Sequence, residues 1–379
     1  MYLQRIGKLF SAEITEVPAI FQPKHFRTLD GLRAISILWV LIAHFNRGGQ
    51  HPAFTYIFWG GTLGVHIFFV LSGFLITALL LKEKITTGNI SLRDFYIRRF
   101  FRIIPVAFLF LLVLFIMDLF LPLNIKGKDF LRVVTFTENL NLTSNWYTHH
   151  FWSLSVEEQF YLIFPFFIRR NLHLYVKMSV LLIICSPVIS YFAYHNSFDS
   201  ASLKHTFTLA DKFLNEGLLS ILIGSLTSIL LFKLNASHRS NKGGVGYLQL
   251  VILFLIWLSN KHPFLSGISM ILCAVLIALF ISISVIHEDT FLNKFLNLKY
   301  ISLIGVLSYS LYIWQQLFTD NQPWKNWFKY GDSIILNTCV LFLVAYISYN
   351  FYEKKFIKLK NKFRSEKERS RLAYLLKQP

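Results

Sequence analysis

The stretch that decides the fold is "RTLDGLRAISILWVLIAHF", residues 27–45, in which a cation and an imidazole stand on one apolar segment. Arg33 and His44 are eleven positions apart. At 100° per residue they fall within about 20° of the same helix face, and a rise of 1.5 Å per residue separates them by roughly 16 Å. Ionisable groups are costly in lipid, so this pattern favours a functional site. An interfacial arginine and a histidine packed against a neighbouring helix are the structural alternative.

The composition is that of a membrane protein. Of 379 residues, 54% are hydrophobic and only 15% are charged, whereas soluble domains have roughly 25% charged residues. A stretch of about 20 apolar residues spans a bilayer. The fourth and seventh of the candidate stretches are short or polar, so nine or eleven spans stay open. We predict an all-α polytopic membrane bundle of about ten transmembrane helices, at 30–46, 58–81, 103–121, 151–168, 174–194, 213–233, 245–259, 263–286, 300–319 and 333–352.

The distribution of basic residues predicts the orientation. With ten spans, 29 of the 38 Lys and Arg fall on the side of the N-terminus, and such residues are enriched in cytoplasmic loops. Both termini are therefore expected in the cytoplasm, with a tail at 1–28, a transmembrane domain at 29–353 and a basic tail at 354–379. The formal charge of +18 then reflects orientation. Because the charge is spread over several loops, we expect membrane lipid and no nucleic acid as a partner.

The second predicted span carries small residues at its centre, in "FFVLSGFLIT" (68–77). Ser72 and Gly73 would allow another helix or a ligand to approach the backbone closely. Helix packing is the simpler interpretation. His66 lies among aromatic residues and is expected to be structural.

An arginine cluster follows in "FYIRRFFRIIP" (95–105). Arg98, Arg99 and Arg102 are three or four positions apart and would share one helix surface. The guanidinium fork suits bidentate phosphate recognition, although anchoring at the inner membrane edge explains the same pattern. Pro105 predicts a bent helix end.

The fourth predicted span, "FWSLSVEEQFYLIFP" (151–165), contains two adjacent acids. A charged residue at a helix centre costs about 2.5–3.5 kcal/mol on insertion scales. Glu157 and Glu158 point 100° apart and need not share a cavity. Trp152 lies on a separate stripe with Ser155 and Gln159. Pairing of one acid with a cation from another helix is the structural alternative.

These motifs, taken in order, resemble the acyltransferase-3 family of integral membrane acyltransferases. The resemblance covers about residues 24–360 and includes "LDGLRAISILWVLIAHF", "FFVLSGFLIT", "YIRRFFRIIP", "FWSLSVEEQFYLIFP", "SYSLYIWQ" (308–315) and "SYNFYEKKF" (348–356). It implies about ten spans, a cytoplasmic acyl-CoA donor and a hydroxyl acceptor on a sugar, glycan or small molecule. Some members carry an additional esterase-like domain, which this chain is expected to lack. After "SYSLYIW" many members have a histidine where this chain has Gln315.

The resemblance suggests a role for each polar position. His44 is the expected general base that removes the hydroxyl proton, and Glu157 would orient or stabilise its imidazole. Arg33 is expected to assist catalysis and hold part of the donor. The other donor-binding candidates are Arg98, Arg99, Arg102, Ser72 and Gly73. The acceptor-binding candidates are Trp146, Tyr147, Trp152, Glu158 and Gln315.

The expected reaction is transfer of an acyl group, by default acetyl, from acyl-CoA to a sugar hydroxyl of a surface polysaccharide or lipid-linked glycan. Such a protein would be a multi-pass protein of the bacterial inner membrane. Acetyl-CoA would be a co-substrate, with no bound cofactor. The three cysteines are isolated and show no CxxC pair, so no metal site is expected. A transporter or flippase for acyl or lipid-linked sugar intermediates is the alternative, and an interaction scaffold explains the intramembrane charges poorly.

Overall fold

The computed structural model describes residues 13–23, 26–45, 61–140, 145–194, 201–240, 243–261, 266–359 and 362–363. The greater part of the predicted tails, together with the beginning of the second predicted span at 58–60, lies outside these residues. Within them the chain is helical and contains no strand.

Fifteen α-helices organise the described residues. They are α1 (Arg27–Phe45), α2 (Thr62–Thr87), α3 (Leu92–Phe120), α4 (Gly127–Val134), α5 (Trp146–His149), α6 (Phe151–Arg170), α7 (Leu172–Tyr194), α8 (Ala201–Phe213), α9 (Leu219–Lys233), α10 (Val245–Lys261), α11 (Ser266–Ile286), α12 (Phe291–Leu296), α13 (Lys299–Phe318), α14 (Ile334–Ile347) and α15 (Lys354–Leu359). Short 3₁₀ turns lie at Ala19–Phe21 and Glu138–Leu140. Two π-helical segments, Leu214–Leu218 and Ser348–Glu353, join α8 to α9 and α14 to α15.

Each of the ten predicted spans coincides with a helix. In the described part of the chain, eight helices are long and apolar enough to cross a membrane: Arg27–Phe45, Thr62–Thr87, Leu92–Phe120, Leu172–Ala193, Ser202–Lys233, Ile268–Ile286, Lys299–Phe318 and Ile334–Leu359. The other two predicted spans are α6, which carries the adjacent glutamates, and α10, which is short. The all-α polytopic membrane bundle is therefore confirmed, and the orientation of the termini stays a prediction.

Helix α3 corrects the expectation of a helix end at Pro105. The helix begins at Leu92, where the Ser91 side chain accepts a hydrogen bond from the Asp94 backbone N–H, and it continues through Pro105 to Phe120. In a membrane there is no water to satisfy the backbone groups that a helix end would expose, so continuing the helix is favoured. Neighbouring helices and small local adjustments satisfy the one carbonyl that proline leaves unbonded, so proline is tolerated inside membrane helices. Phe108 and Phe120 are 60% and 81% exposed, which suits contact with lipid.

The chain divides into two compact units. Unit one comprises Met1–Ile90, Arg132–Ser144 and Phe151–Val306. Unit two comprises Ser91–Leu131, Asn145–His150 and Leu307–Pro379. The division falls inside the predicted transmembrane domain.

Close helix packing organises the interior of unit one. A Cβ atom on Gly73 of α2 would overlap the Ile221 carbonyl oxygen of α9, and one on Gly224 of α9 would overlap the Val70 carbonyl oxygen of α2. Thr77 and Ser225 also share a hydrogen bond of 2.6 Å across this contact. Small residues thus bring the two backbones together and allow polar side chains to pair.

Candidate functional site

Helix α1 carries Arg33 and His44 on one continuous element, as predicted. The Arg33 guanidinium lies 3.4 Å from the Asp30 carboxylate, and the two side chains form an i, i+3 ion pair. His44 is half-buried near the other end of the helix. The cation therefore sits beside a buried acid, while the imidazole lies roughly 16 Å away by helical rise.

A polar contact between two half-buried side chains joins α2 to α6 in unit one. Ser72 donates a hydrogen bond of 2.7 Å to Glu157 Oε1, and the Tyr161 hydroxyl lies 3.4 Å from Glu157 Oε2. A carboxylate that accepts hydrogen bonds from hydroxyl groups is stabilised where water is scarce. The structure thus brings together two of the predicted site residues, Ser72 and Glu157, from separate motifs.

Tyr161 was not among the predicted site residues. It stands four positions after Glu157 on α6, and residues four apart on a helix are neighbours. That spacing was a signal in the sequence, because a tyrosine hydroxyl at this distance reaches the carboxylate.

The neighbouring positions of the same motifs have other surroundings. Gly73 is buried against the backbone of α9, which supports the interpretation that this glycine serves helix packing. The Trp152 ring meets the Phe69 ring edge to face, with centroids 5.9 Å apart. Glu158 is half-buried. Gln159 bonds the Asn139 side chain and the Phe136 carbonyl oxygen, which fixes this face of α6 to the preceding 3₁₀ turn.

His66 has the structural surroundings expected of it. Its ring nitrogen Nδ1 lies 2.9 Å from the Ser220 hydroxyl, and the side chain is buried. It also meets Phe69 edge to face at 6.2 Å. This histidine is therefore a packed and hydrogen-bonded core residue.

The arginine cluster lies in unit two, along the first turns of α3. Arg98 and Arg99 are half-buried and Arg102 is exposed. The Arg99 guanidinium carbon stands 5.8 Å from the centre of the Phe95 ring, a cation–π distance that holds the planar group against the helix. Exposed arginine at the end of an apolar helix is suited to bind an anion.

The predicted acceptor residues Trp146 and Tyr147 lie on the short helix α5 of unit two. The Trp146 indole N–H donates to the Gln316 carbonyl oxygen at 3.1 Å, and Gln316 Nε2 donates back to the Trp146 carbonyl oxygen at 2.7 Å. The Tyr147 hydroxyl donates to the Asn321 carbonyl oxygen at 2.9 Å. Partial burial raises the pKa of Tyr147 above its usual value, so the phenol stays neutral and continues to donate.

Gln315, the position at which the chain departs from many members of the family it resembles, is fully buried on α13. It precedes Gln316, whose amide joins α13 to α5. Of the predicted site residues, Arg98, Arg99, Arg102, Trp146, Tyr147 and Gln315 belong to unit two. The others, Arg33, His44, Ser72, Gly73, Trp152, Glu157 and Glu158, belong to unit one.

A second polar cluster, which the sequence did not single out, lies in unit two. Ser310 donates to Glu353 Oε1 at 2.6 Å, and Ser348 donates to the same oxygen at 3.0 Å. Ser310 and Glu353 stand in the two closing motifs, "SYSLYIWQ" and "SYNFYEKKF". Their positions in these motifs were the available signal. Among the described residues, no group of three or more His, Cys, Asp or Glu is arranged to hold a metal ion.

Comparison with known proteins agrees with the motifs. A family profile described as "Acyltransferase domain" matches residues 26–353. "O-acetyltransferase OatA" of Staphylococcus aureus is 30% identical over 366 residues, which cover 88% of this chain and 57% of the relative. "Peptidoglycan O-acetyltransferase OatA" of Listeria monocytogenes is 28% identical, with 88% and 56% covered. "Putative peptidoglycan O-acetyltransferase YrhL" of Bacillus subtilis is 28% identical, with 86% and 54% covered.

The chain thus spans about half the length of the curated relatives that it matches. No solved structure matches it significantly.

Proposed function

Because the chain belongs to the acyltransferase-3 family, we propose that it is a membrane O-acetyltransferase that moves acetyl from cytoplasmic acetyl-CoA to a sugar hydroxyl of a cell-envelope glycan. Two of its relatives are named for peptidoglycan. Peptidoglycan is therefore the first acceptor to test, ahead of other surface polysaccharides and lipid-linked glycans. A protein with this activity belongs in the cytoplasmic membrane of a bacterium.

The chemistry requires a base, since a hydroxyl is a poor nucleophile at neutral pH. The neutral imidazole of His44 takes the hydroxyl proton as the oxygen attacks the thioester carbonyl carbon. The tetrahedral intermediate then collapses, the carbon–sulfur bond breaks and the CoA thiolate takes up the proton from the imidazolium. In a two-step route the His44 imidazole attacks the thioester carbonyl carbon, the carbon–sulfur bond breaks, and the imidazole proton passes to the CoA thiolate to leave an acetyl-imidazole. The sugar hydroxyl then attacks the acetyl carbon, the carbon–nitrogen bond breaks, and the hydroxyl proton returns to the imidazole.

The hydrogen bond between Ser72 and Glu157 is the structural observation that supports this proposal. A glutamate inside an apolar bundle is costly, and the structure gives this one dedicated hydroxyl donors from Ser72 and Tyr161. A carboxylate that is held in this way keeps its orientation. It is suited to orient an imidazole or to stabilise the imidazolium that forms during transfer.

The donor would be held by its phosphates. Arg98, Arg99 and Arg102 supply planar forks along one helix, which suit bidentate contact with phosphate oxygens. Arg33 is already restrained by Asp30 and is proposed to hold a further part of the CoA chain. In this proposal, acyl transfer uses the arginines that hold acetyl-CoA, the base His44 and the acceptor hydroxyl.

The acceptor would meet aromatic faces. The polar atoms of Trp146 and Tyr147 are used in bonds to the backbone of residues 316 and 321, which fixes both rings. Aromatic rings that are fixed by hydrogen bonds at their polar ends present a stable surface for the apolar face of a sugar. Trp152, Glu158 and Gln315 stay acceptor candidates on the sequence argument.

The deciding experiment uses the purified full chain in proteoliposomes, with acetyl-labelled acetyl-CoA and peptidoglycan fragments. We expect label in ester linkage to the sugar and an equal amount of free CoA thiol. The His44→Ala variant should give neither product. Label that crosses the membrane without ester formation or CoA release would instead establish the flippase alternative.

A further inference from the structure

Glu353 is a buried carboxylate that the proposed chemistry does not use. Its side chain is 5% exposed and lies at the end of the π-helical segment Ser348–Glu353. Ser310, from the opposite helix α13, and Ser348 both donate to its Oε1 atom, at 2.6 and 3.0 Å. Two hydroxyl donors on one oxygen fix the carboxylate group and direct the other oxygen away from them.

This carboxylate lies beside the arginine cluster. The Tyr309 hydroxyl, next to Ser310 in sequence, donates to the Ile103 carbonyl oxygen at 2.9 Å, and Ile103 directly follows Arg102. Phe101 stacks on Phe363 with ring centroids 5.2 Å apart. Helix α3 is thus held against "SYSLYIWQ" at Ile103 and against the chain that follows "SYNFYEKKF" at Phe101. Arg102 is near enough to Glu353 for an electrostatic interaction between the two side chains.

The opposite charges of Glu353 and Arg102 give a physical reason for placing them near each other. A buried carboxylate is costly without hydrogen bonds and a nearby cation. Ser310 and Ser348 donate the hydrogen bonds, and Arg102 is a cation that interacts with Glu353 electrostatically. The arginine itself remains exposed. Its flexible side chain would lose conformational freedom on binding a ligand, and a fixed negative group beside it reduces that cost.

We propose that Glu353, fixed by Ser310 and Ser348, is a positioning residue that orients the Arg102 guanidinium toward the phosphate groups of the donor. This inference rests on the proposed function, because it takes acyl-CoA as the donor. It gives the two closing motifs a role in donor recognition.

The test compares two donors that differ in the nucleotide. Acetyl-CoA carries the phosphates of the nucleotide, whereas S-acetyl-pantetheine lacks them. With Glu353→Gln, which removes the charge and keeps an acceptor for both serines, we expect the KM for acetyl-CoA to rise about three- to tenfold, a coupling within the range found for residues of one hydrogen-bond and charge network. The kcat and the KM for S-acetyl-pantetheine should stay within about twofold, because the altered contact is to phosphate.

A double variant with Arg102 distinguishes a positioning role of Glu353 from a general structural role. The Arg102→Ala variant should raise the KM for acetyl-CoA at least as much, and the double variant Glu353→Gln/Arg102→Ala should be no worse than Arg102→Ala. Ser310→Ala, which keeps the charge, should shift the KM in the same direction by less. Asp129→Asn removes another buried carboxylate of unit two and should leave the KM for both donors unchanged.

The outcomes are distinguishable. If the wild-type protein transfers no acetyl from either donor, the proposed function fails and the inference fails with it. If the wild type is active but Glu353→Gln changes the KM for both donors equally, or adds fully to Arg102→Ala, Glu353 has a structural role and only the inference is overturned.

Discussion

Ser72 on α2 and Glu157 on α6 share a hydrogen bond of 2.7 Å, although 85 positions separate them in the sequence. The bond joins the serine of the "FFVLSGFLIT" motif to the first acid of "FWSLSVEEQFYLIFP". A carboxylate on an apolar membrane helix is unfavourable without such donors. This contact is therefore expected to stabilise the fold and, in the proposed mechanism, to hold Glu157 in place for catalysis.

Replacing Ser72 with Ala should lower both stability and activity. Glu157 would keep Tyr161 and lose its shorter hydrogen bond, which typically costs about 1–3 kcal/mol when the acceptor is charged. We expect a lower unfolding temperature in detergent and a reduced kcat, measured on the folded fraction.

Ser36→Ala is the matched control for this variant. Ser36 is buried on α1 and donates only to the Leu32 carbonyl oxygen of its own helix, at 2.7 Å. That oxygen keeps its place in the helix when the hydroxyl is removed, so stability should change by less than about 0.5 kcal/mol. Equal losses in Ser36→Ala and Ser72→Ala would show that the Ser72–Glu157 bond has no special importance.

The two histidines of the first spans are predicted to behave in opposite ways. His44→Ala should reduce acetyl transfer by about 10²- to 10⁴-fold, the usual cost of losing a positioned general base, with little change in unfolding temperature. His66→Ala removes the bond to Ser220 and should cost about 1–3 kcal/mol of stability, while the protein that remains folded keeps its kcat.

Activity and thermal unfolding measured on both variants decide the assignment. A His44→Ala protein that turns over at a near-normal rate would make His44 a packing residue. Loss of kcat in folded His66→Ala would move the base to the second span.

Local spacing in the sequence was sufficient for the helices and for the nearest pairs. The length of the apolar stretches located all ten helical segments, and the i, i+3 spacing of Asp30 and Arg33 accounts for their ion pair. Both depend only on residues that are close in the sequence. The helix end at Pro105 was wrong because the rule that proline ends helices belongs to water-exposed chains.

Long-range contacts could not be predicted from one sequence. Ser310 and Glu353 are 43 positions apart on different helices, and nothing in local spacing says which helix faces which. For the same reason, the sequence could not show that Ser72 pairs with Glu157. Motif positions marked these residues as candidates, whereas the helix packing that joins them depends on contacts such as Gly73 against Ile221.

The contact between α2 and α9 should tolerate no side chain at Gly73. An added Cβ overlaps the Ile221 carbonyl oxygen, and backbone atoms of a packed helix cannot move aside cheaply. We expect Gly73→Ala to cost about 1–3 kcal/mol through overpacking, with Gly224→Ala similar because its Cβ meets the Val70 carbonyl oxygen.

Gly127→Ala provides the control, since no described residue outside its own stretch of chain has an atom within 4 Å of its added Cβ. Its unfolding temperature should match that of the wild type. A Gly73→Ala variant as stable as Gly127→Ala, yet weaker in donor binding, would favour the ligand-approach interpretation of this glycine over helix packing.

Donor recognition by the arginine cluster predicts a change in KM. Arg99→Ala and Arg102→Ala should raise the KM for acetyl-CoA more than the KM for the acceptor, and lysine at either position should rescue only in part, because it lacks the bidentate fork. Arg93→Ala, an exposed position on the same helix, should behave as wild type. Equal weakening for acetyl-CoA and S-acetyl-pantetheine would contradict phosphate binding.

The sidedness of the reaction follows from the length of α1. Arg33 lies in the first third of Arg27–Phe45 and His44 is its penultimate residue, roughly 16 Å further along the axis. The hydrocarbon core is about 30 Å thick. With the predicted cytoplasmic N-terminus, His44 is at or beyond the midplane, so a donor from the cytoplasm and an acceptor from outside would reach the same imidazole.

Sealed vesicles of known orientation test this arrangement. Acetyl-CoA should support transfer only when it is supplied at the cytoplasmic face, and the acetylated glycan should appear at the opposite face. Vesicles opened with detergent provide the control, because both substrates then reach both faces. Product confined to the cytoplasmic face would mean that donor and acceptor meet there, and the through-membrane arrangement would have to be abandoned even if His44 proved to be the base.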